Sequence, residues 1–295
     1  PETRGIHFID PKVAPLHGSG FWRRRNLNAL RRSIEAAWPE GLKRSVLWIY
    51  NPSYLALEFL RETKGQWERT VYDCNQRFAF NRYYPPEIGE IDAAIAREVD
   101  IVLADSAMIA EEKRRETPNT HHVPQGVDPE RFLWTGVNRT PTDEMRWLKR
   151  PVFGYHGAWH QAFDETLIAA LLEKAGPCSF LFIGPTLGRE EELRLRFDDA
   201  VFLGPRDHIR LGRYVNGFDV CLIPYRRDEH SEGVFPTKFF EFVATGLPIV
   251  ATDLPDLRPY SEWATLVDGA EAFAEAARAA VGRERRPVEA GRPFV

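Results

Sequence analysis

The stretch Glu232-Gly-Val-Phe-Pro-Thr-Lys-Phe-Phe-Glu-Phe-Val-Ala-Thr-Gly-Leu-Pro-Ile-Val-Ala-Thr252 has the pattern of a loop, a short helix and a buried strand. Pro236 and Thr237 suit a helix start, because proline fits the first turn and a threonine hydroxyl can cap free N–H groups. Gly246 suits the helix end. The run from Leu247 to Thr252 is apolar and β-branched, which indicates a buried strand.

Two charged side chains lie near the start of this predicted helix. Lys238 and Glu241 are three residues apart, so both lie near one face of its first turns. A helix N-terminus attracts phosphate through its free N–H groups and its macrodipole, and a lysine beside it adds charge. A glutamate can accept hydrogen bonds from sugar hydroxyls. The pattern therefore predicts a binding site for a nucleotide sugar.

The stretch resembles the donor-binding signature of retaining GT-B glycosyltransferases of the bacterial group 1 type. Those enzymes carry a glutamate, seven residues and a second glutamate in a helix, followed by Ala-x-Gly-x-Pro-Val-Val-Ala-Thr. Here Glu241 matches the second glutamate, and the matches that follow are Ala244, Gly246, Pro248, Val250, Ala251 and Thr252. The first glutamate should fall at Gly233, and Glu232 lies one residue early.

The composition narrows the class of protein. The chain has 295 residues, which fits two domains of about 150 residues each, and 43% of them are hydrophobic. A net charge of −4 argues against a general nucleic-acid binder. We expect Cys74, Cys178 and Cys221 to be buried free thiols in a reducing compartment. No apolar run approaches the roughly 20 residues of a membrane span, and no signal peptide is visible, so we expect a cytoplasmic protein.

Short apolar runs alternate with helical segments, the pattern of an α/β fold with parallel sheets. The predicted strands are Gly5–Ile9, Ser45–Tyr50, Thr70–Cys74, Asp100–Ala104, His121–Pro124, Val152–His156, Ser179–Ile183, Ala200–Leu203, Val220–Pro224, Leu247–Thr252 and Thr265–Val267. The predicted helices are Phe21–Trp38, Ser53–Thr63, Pro86–Arg97 and Ser106–Arg115, with others near 162–175, 189–197, 209–216, 237–245 and 270–281.

Turn-forming residues concentrate between Asp128 and Arg150, so we place the two domains at residues 1–135 and 136–295. The preceding Gln125-Gly-Val-Asp128 resembles the Asn-Gly-Val-Asp segment that closes the first domain of these glycosyltransferases. The resemblance implies two facing Rossmann-like domains, the GT-B arrangement. The first would be the acceptor side and the second would bind the nucleotide sugar, with ligands at the carboxyl ends of the strands.

The resemblance runs from about Val46 to Asp268. The segment Val71-Tyr-Asp-Cys-Asn-Gln-Arg-Phe78 is similar to the Tyr-Asp-x-x-Asp segment of a branch known from teichuronic-acid-type polysaccharide synthesis. Phe153-Gly-Tyr-His-Gly-Ala158 is similar to the Gly-Tyr-x-Gly opening of the second domain. Group 1 enzymes usually begin with a further strand–helix unit and end with a helix that crosses back. The resemblance therefore implies a truncated N-terminal domain and a trimmed C-terminus.

The donor-binding candidates follow from this signature. The resemblance implies that Lys238 contacts the diphosphate and stabilises the leaving nucleotide, while Glu241 hydrogen-bonds the ribose. Gly157 follows a strand and would let the backbone approach a phosphate. Arg206 follows a strand end and could contact phosphate or the base. The predicted donor-binding residues are Gly157, Arg206, Thr237, Lys238 and Glu241, with tight turns and ordinary exposed charges as the alternative interpretation.

The predicted catalytic residues are Glu232, Asp73 and His156. Glu232 would serve the donor sugar if its loop bulges, and His156 would contact the donor. Asp73 would orient the acceptor hydroxyl from a strand end that faces the cleft, or would merely cap a turn. His156, His160 and Asp164 recur at intervals of four, but one helix is not expected to hold all three. We therefore expect no metal and no cofactor besides the donor substrate.

The segment Phe21–Ile34 is basic and amphipathic, with Leu27, Leu30 and Ile34 on one face. Its arginines and aromatic residues suit an anionic membrane surface or a lipid-linked acceptor, which would make the protein peripheral on the inner membrane face. The alternative is a domain-packing helix with a solvated basic side.

The function that the resemblance implies is transfer of a sugar from a nucleoside-diphosphate sugar to a saccharide or lipid-linked acceptor in bacterial surface polysaccharide synthesis. The chemistry would retain the anomeric configuration without a metal or an obvious protein nucleophile. Two alternatives stay open. One is a non-catalytic GT-B scaffold, motivated by Gly233 and by Asn75-Gln76 in place of the usual acidic pair. The other is a GT-B sugar-nucleotide epimerase.

Overall fold

The computed structural model describes residues 20–38, 41–136, 140 and 142–288, and the predicted strand Gly5–Ile9 lies outside them. The chain divides into two compact units, Pro1–Pro124 and Gln125–Val295. Within the described residues, every predicted strand and helix is present, with its ends within three residues of the predicted ones. The α/β class with parallel sheets is therefore confirmed.

The first unit contains a parallel sheet with helices packed on it. Its strands lie in the order β1 (Val46–Ile49), β2 (Arg69–Cys74), β3 (Ile101–Ala104) and β4 (Thr120–His122). Its helices are α1 (Gly20–Ala37), α2 (Tyr54–Glu62), α3 (Ile88–Glu98) and α4 (Ala107–Arg114). Ser53 and Ser106 cap α2 and α4, because their hydroxyls accept hydrogen bonds from backbone N–H groups of the first turns.

The second unit contains a larger parallel sheet. Its strands are β5 (Val152–His156), β6 (Ser179–Ile183), β7 (Ala200–Phe202), β8 (Val220–Ile223), β9 (Ile249–Thr252) and β10 (Thr265–Val267). Their order is β10-β9-β8-β5-β6-β7. Its helices are α5 (Glu165–Lys174), α6 (Glu190–Arg196), α7 (His208–Val215), α8 (Lys238–Thr245) and α9 (Ala270–Ala280). The strand order reverses between β5 and β8, as in dinucleotide-binding folds.

The division between the units lies at Pro124 and Gln125, whereas the sequence placed it after residue 135. The reason is Phe132, which is fully buried in the hydrophobic core of the second unit. Its carbonyl also accepts a hydrogen bond from Nδ2 of Asn216, at 2.7 Å. The segment that looked like the end of the first domain is therefore part of the second unit.

Helix α8 starts and ends close to the predicted residues. It follows Thr237 and ends at Gly246, which adopts the left-handed conformation. The predicted capping by the Thr237 hydroxyl is wrong, because φ of −47° and ψ of −38° are already helical and its side chain makes no capping bond. The first turn is instead closed by the Phe239 N–H, which donates to the carbonyl of Pro236 at 2.8 Å.

Residues 283–288, which we call the C-terminal strap, lie against the carboxyl end of α8. The Arg285 guanidinium donates to the carbonyls of Thr245 at 2.8 Å and Asn216 at 2.7 Å. The Arg286 N–H donates to the carbonyl of Gly246, also at 2.8 Å. These bonds satisfy carbonyls that the end of a helix would otherwise leave without partners.

The three cysteines are buried free thiols, as predicted, and burial raises the pKa of Cys74 to about 12. Among the described residues, no helix is both long and apolar enough to cross a membrane.

Candidate functional site

The candidate site lies at the point where the strand order of the second sheet reverses. His156 ends β5 there, and Tyr225 follows the end of the neighbouring β8. The loop after β8 leads into α8, which carries Lys238 and Glu241. Ligands of open α/β sheets bind outside the carboxyl ends of the strands at such a reversal. The topology thus brings together four of the predicted residues, His156, Gly157, Lys238 and Glu241.

Lys238 is a buried cation that has no acidic partner among the residues that the structure describes. Only 6% of the Lys238 surface is exposed, and its Nζ donates a hydrogen bond to the Tyr225 hydroxyl at 2.6 Å. Nζ also lies 4.9 Å from the ring centroids of both Tyr155 and Tyr225. Within the described part of the chain, no carboxylate pairs with it. Because a buried charge is costly unless it is compensated, this ammonium group is suited to an anionic ligand.

Two glycines bring the backbone close to the Lys238 side chain. Gly157 has φ of 125°, and a Cβ there would lie 3.0 Å from Cε of Lys238. Gly184 follows β6 with φ of 152°, and a Cβ there would lie 2.0 Å from the carbonyl oxygen of Gly157. Gly157 thus lies against Lys238 and the neighbouring backbone, and its predicted approach to a phosphate stays a prediction. Gly184 was missed, because nothing local in the sequence relates it to Gly157.

Glu241 is held between two histidines. Its Oε2 lies 3.0 Å from Nε2 of His156, and its Oε1 lies 3.0 Å from Nε2 of His208. Only 13% of its side chain is exposed. Burial raises the pKa of Glu241, but the contacts with His156 and His208 outweigh this effect, so the pKa lies below its ordinary value. Glu241 is therefore an ionised carboxylate with a fixed orientation.

His156 is enclosed by aromatic rings. Phe132 stacks on it with centroids 6.4 Å apart, and Phe242 meets it edge-on at 5.0 Å. Burial lowers the pKa of His156, and the contact with Glu241 offsets this only in part, so the imidazole is neutral. The contact between Nε2 and Glu241 is close but poorly aligned for a hydrogen bond, and Nε2 has no other partner among the described residues.

His208 is a site residue that the sequence analysis missed. It begins α7, and its Nδ1 lies 3.1 Å from Nη1 of Arg131, which also forms an ion pair with Asp128 at 2.8 Å. Its ring meets Phe132 edge-on with centroids 5.7 Å apart. His208 and Glu241 are 33 positions apart in sequence. The one available signal was a histidine placed just after a strand end at the carboxyl edge of the sheet.

The other predicted site residues have different surroundings. The Arg206 guanidinium pairs with Glu144 at 2.7 Å, and Glu232 lies 3.9 Å from Arg227. Thr237 is exposed at the start of α8. Asp73 belongs to β2 of the first unit, where its Oδ2 accepts a hydrogen bond from Nε1 of Trp48 at 3.1 Å. The strand-end position predicted for Asp73 is confirmed.

His160 and Asp164 have separate partners from His156. Nδ1 of His160 accepts a hydrogen bond from the Ala162 N–H at 3.1 Å, and Asp164 caps α5 through the Thr166 N–H at 2.9 Å. Within the described ranges, no cluster of three acidic, histidine or cysteine side chains has the arrangement of a metal site.

The free energy of unfolding should depend on pH through His160. Burial, together with the charges of Lys238 and His230, lowers the pKa of His160 to about 4. In the unfolded chain the His160 imidazole binds a proton near pH 6.5, whereas in the folded chain it stays neutral until about pH 4. Acid therefore favours the unfolded state, and the free energy of unfolding decreases as the pH falls from 7 toward 4. We expect wild type to lose about 2 kcal/mol more than His160→Asn between pH 7 and pH 5 in urea denaturation. The exposed His121→Asn variant is the control, and an equal loss in wild type and His160→Asn would contradict the prediction.

Comparisons with known proteins bear on the family and the fold of the chain. Residues 150–282 match the family model of group 1 glycosyl transferases. TuaH of Bacillus subtilis strain 168, whose name assigns it as a glycosyltransferase to teichuronic acid biosynthesis, is 24% identical over 250 residues. The match covers 79% of this chain and 61% of TuaH, so the chain spans less than two thirds of that relative.

Solved structures share the fold. Sucrose-phosphate synthase from Thermosynechococcus elongatus has a TM-score of 0.68 at 17% identity, covering 92% of this chain and 75% of its own. Anabaena HepE, solved with UDP and glucose, has a TM-score of 0.67 at 14% identity, covering 85% of this chain and 71% of its own. A UDP-forming trehalose-phosphate synthase from Burkholderia xenovorans has a TM-score of 0.61 at 15% identity, covering 88% and 72%.

The second unit is therefore a group 1 glycosyltransferase domain, and the fold is that of the GT-B glycosyltransferases. This confirms the class predicted from the sequence. Retention of anomeric configuration stays a prediction.

Proposed function

We propose that this protein transfers a sugar from a nucleoside-diphosphate sugar to a saccharide or lipid-linked acceptor in the synthesis of a bacterial surface polysaccharide. The observation that carries the proposal is Lys238 at the start of α8, where the strand order of the sheet reverses. This lysine is buried and has no carboxylate partner in the described part of the chain. Similarity to TuaH supports the polysaccharide role. The UDP and glucose in the HepE structure make UDP-glucose the first donor to test.

Lys238 would bind the diphosphate. The N-terminus of α8 adds free N–H groups and the positive end of the helix dipole to its charge. Negative charge builds up on the leaving diphosphate as the sugar bond breaks, so the same contacts would stabilise the transition state more than the ground state. Tyr225 would keep Nζ in place, since its hydroxyl accepts a hydrogen bond from it.

Glu241 would bind the ribose of the donor. It lies three residues after Lys238, about 4.5 Å further along the helix axis, which suits a ribose next to a bound diphosphate. Each carboxylate oxygen contacts one histidine and keeps a further lone pair for a ribose hydroxyl. We propose that His156 acts by holding this carboxylate rather than by touching the reacting atoms, because its Nε2 is turned to Glu241.

We propose that the sugar is transferred with retention and without a metal, with an oxygen of the leaving diphosphate accepting the proton of the acceptor hydroxyl. The hydroxyl oxygen forms the new bond to the anomeric carbon as the bond to the diphosphate breaks. Asp73 would orient the acceptor hydroxyl. Glu232 would contact the donor sugar once its side chain leaves Arg227, which is 3.9 Å away.

Donor turnover tests the proposal. The protein is incubated with UDP-, GDP- and dTDP-sugars, with and without saccharide acceptors, and the release of nucleoside diphosphate is measured. We expect release with one nucleotide class, and nuclear magnetic resonance of the product should show the anomeric configuration of the donor. A chain that binds none of these nucleotides and turns none over would refute the proposal.

A second candidate function, a donor-binding scaffold without catalysis, is favoured by one observation. The position of the first signature glutamate is occupied by Gly233, which is buried, and the carboxylate of the adjacent Glu232 lies 3.9 Å from Arg227. Tight nucleotide binding without release of nucleoside diphosphate from any sugar donor would support this candidate over the enzyme.

We also propose that α1 contacts an anionic membrane surface. Leu27 is buried toward the rest of the unit, while Phe21 is 71% exposed and Arg24, Arg25 and Arg32 are exposed. The apolar face of α1 thus has a packing role, and its basic side is available to phospholipid headgroups.

Vesicle binding tests the role of α1. Each basic residue near an anionic surface contributes about 1 kcal/mol, so replacing Arg24, Arg25 and Arg32 with alanine should lower binding to phosphatidylglycerol vesicles by about 100-fold. A control variant removes the same charge from the second unit at Lys149, Arg210 and Arg278, which are all exposed. Equal binding of the two variants would count against membrane contact through α1.

A further inference from the structure

We propose that His208 is a positioning residue that fixes the Glu241 carboxylate for the ribose hydroxyls and so sets the preference of this site for ribonucleotides over 2′-deoxyribonucleotides. The inference rests on the proposed function of Glu241. Its basis is a continuous chain of contacts from Asp128 through Arg131 and His208 to Glu241, all within the second unit.

The contacts define which ring nitrogen of His208 carries the proton. A guanidinium can only donate hydrogen bonds, so Nδ1 of His208, 3.1 Å from Nη1 of Arg131, must be the acceptor. We therefore assign the neutral tautomer with the proton on Nε2. That N–H points at Oε1 of Glu241, 3.0 Å away. Arg131 thus makes His208 a donor toward the carboxylate.

The two histidines hold opposite oxygens of Glu241. His156 lies against Oε2 in a buried, aromatic environment, and His208 lies against Oε1 from the exposed side. The Phe132 ring lies beside both imidazoles, with its centroid 6.4 Å from that of His156 and 5.7 Å from that of His208. His208 occupies one lone pair of Oε1, so each carboxylate oxygen keeps a lone pair that can accept from one of two neighbouring ribose hydroxyls.

His208 adds little to the core of the fold. Its side chain is 53% exposed, and it begins a short helix that Asp207 already caps through the Ile209 N–H at 2.9 Å. His156 alone makes a poorly aligned contact with Glu241, so it does not by itself fix the carboxylate. The well-placed donor on the open side is His208, and the ordering of Glu241 before the ligand arrives depends on it.

The test measures equilibrium binding of UDP, GDP and ADP and of their 2′-deoxy forms to the full chain. Wild type should prefer the ribonucleotide of its donor base. In His208→Ala this preference should fall about tenfold, with a smaller change for the 2′-deoxy form. His208→Gln keeps an amide donor and should restore part of the preference. Arg210→Ala, an exposed change on the same helix, should leave it at the wild-type value.

A double-mutant cycle separates positioning from a general effect on folding. In Glu241→Gln the preference for ribose should already be low, and adding His208→Ala should lower it no further. An unchanged preference in His208→Ala, or equal weakening of both nucleotide forms, overturns the inference and leaves the donor site intact. Failure of wild type to bind any nucleoside diphosphate overturns both the inference and the proposed function.

Discussion

Replacing Lys238 with methionine should lower the affinity for a nucleoside diphosphate by about 100-fold and should not destabilise the fold. Lys238 is buried without a carboxylate partner among the described residues, so the diphosphate is the expected compensation for its charge. Loss of one partner of a buried, hydrogen-bonded charge pair costs about 2–5 kcal/mol of binding. Methionine keeps most of the volume and removes the cost of burying a charge, so the free energy of unfolding should stay equal or rise.

Calorimetric titration with UDP, GDP and ADP measures the effect, and thermal unfolding measures stability. The matched control is Lys149→Met, which removes an exposed lysine from the same unit and should change neither quantity. Affinity for the free nucleoside should also stay the same, since the ribose and base do not need Lys238. Diphosphate affinity equal to that of wild type would refute the anion-binding role of Lys238.

Replacing Gly184 with alanine should destabilise the second unit by about 3 kcal/mol or more and abolish nucleotide binding. The added Cβ would lie 2.0 Å from the Gly157 carbonyl oxygen and 2.7 Å from its carbonyl carbon. Both are backbone atoms, so relief requires the loop at Gly157, which lies against Lys238, to move. The φ of 152° adds conformational strain for any residue with a side chain.

The variant Gly188→Ala is a control that separates backbone strain at a positive φ from a steric clash of the added Cβ. Gly188 also has a positive φ, 86°, but a Cβ there meets no atom within 4 Å. This control should lose about 1 kcal/mol and keep nucleotide binding. Urea denaturation and calorimetric titration measure the two effects, and equal loss of stability in the two variants would contradict the role assigned to Gly184.

The elements of the fold were accessible from sequence because their signals are local. Short apolar runs predicted β5, β6 and β10 to the residue, and Gly246 predicted the end of α8. The boundary between the two compact units differs from the predicted domain boundary, because it depends on which core contains Phe132. That is a long-range contact, and a turn-rich composition carries no information about it.

The candidate site was only partly predictable for the same reason. Lys238 and Glu241 share one helix, so their spacing alone placed them together. His208 and Tyr225 reach them from other elements, 33 positions from Glu241 and 13 from Lys238 respectively. Their contacts depend on the strand order, which the sequence does not encode in any short window. The role of Arg206 in donor binding stays a prediction. Its ion pair with Glu144 is another long-range contact that the sequence did not predict.

The C-terminal strap has a consequence for biosynthesis on the ribosome. The carbonyls of Thr245 and Gly246 receive their hydrogen bonds from Arg285 and Arg286, about 40 residues later in the chain. During translation, α8 has been synthesised well before these partners leave the exit tunnel. The helix that carries Lys238 and Glu241 therefore gains its final hydrogen bonds only when nearly the whole second unit has emerged. Nascent chains that stop short of Arg285 should hold α8 in an incompletely folded state.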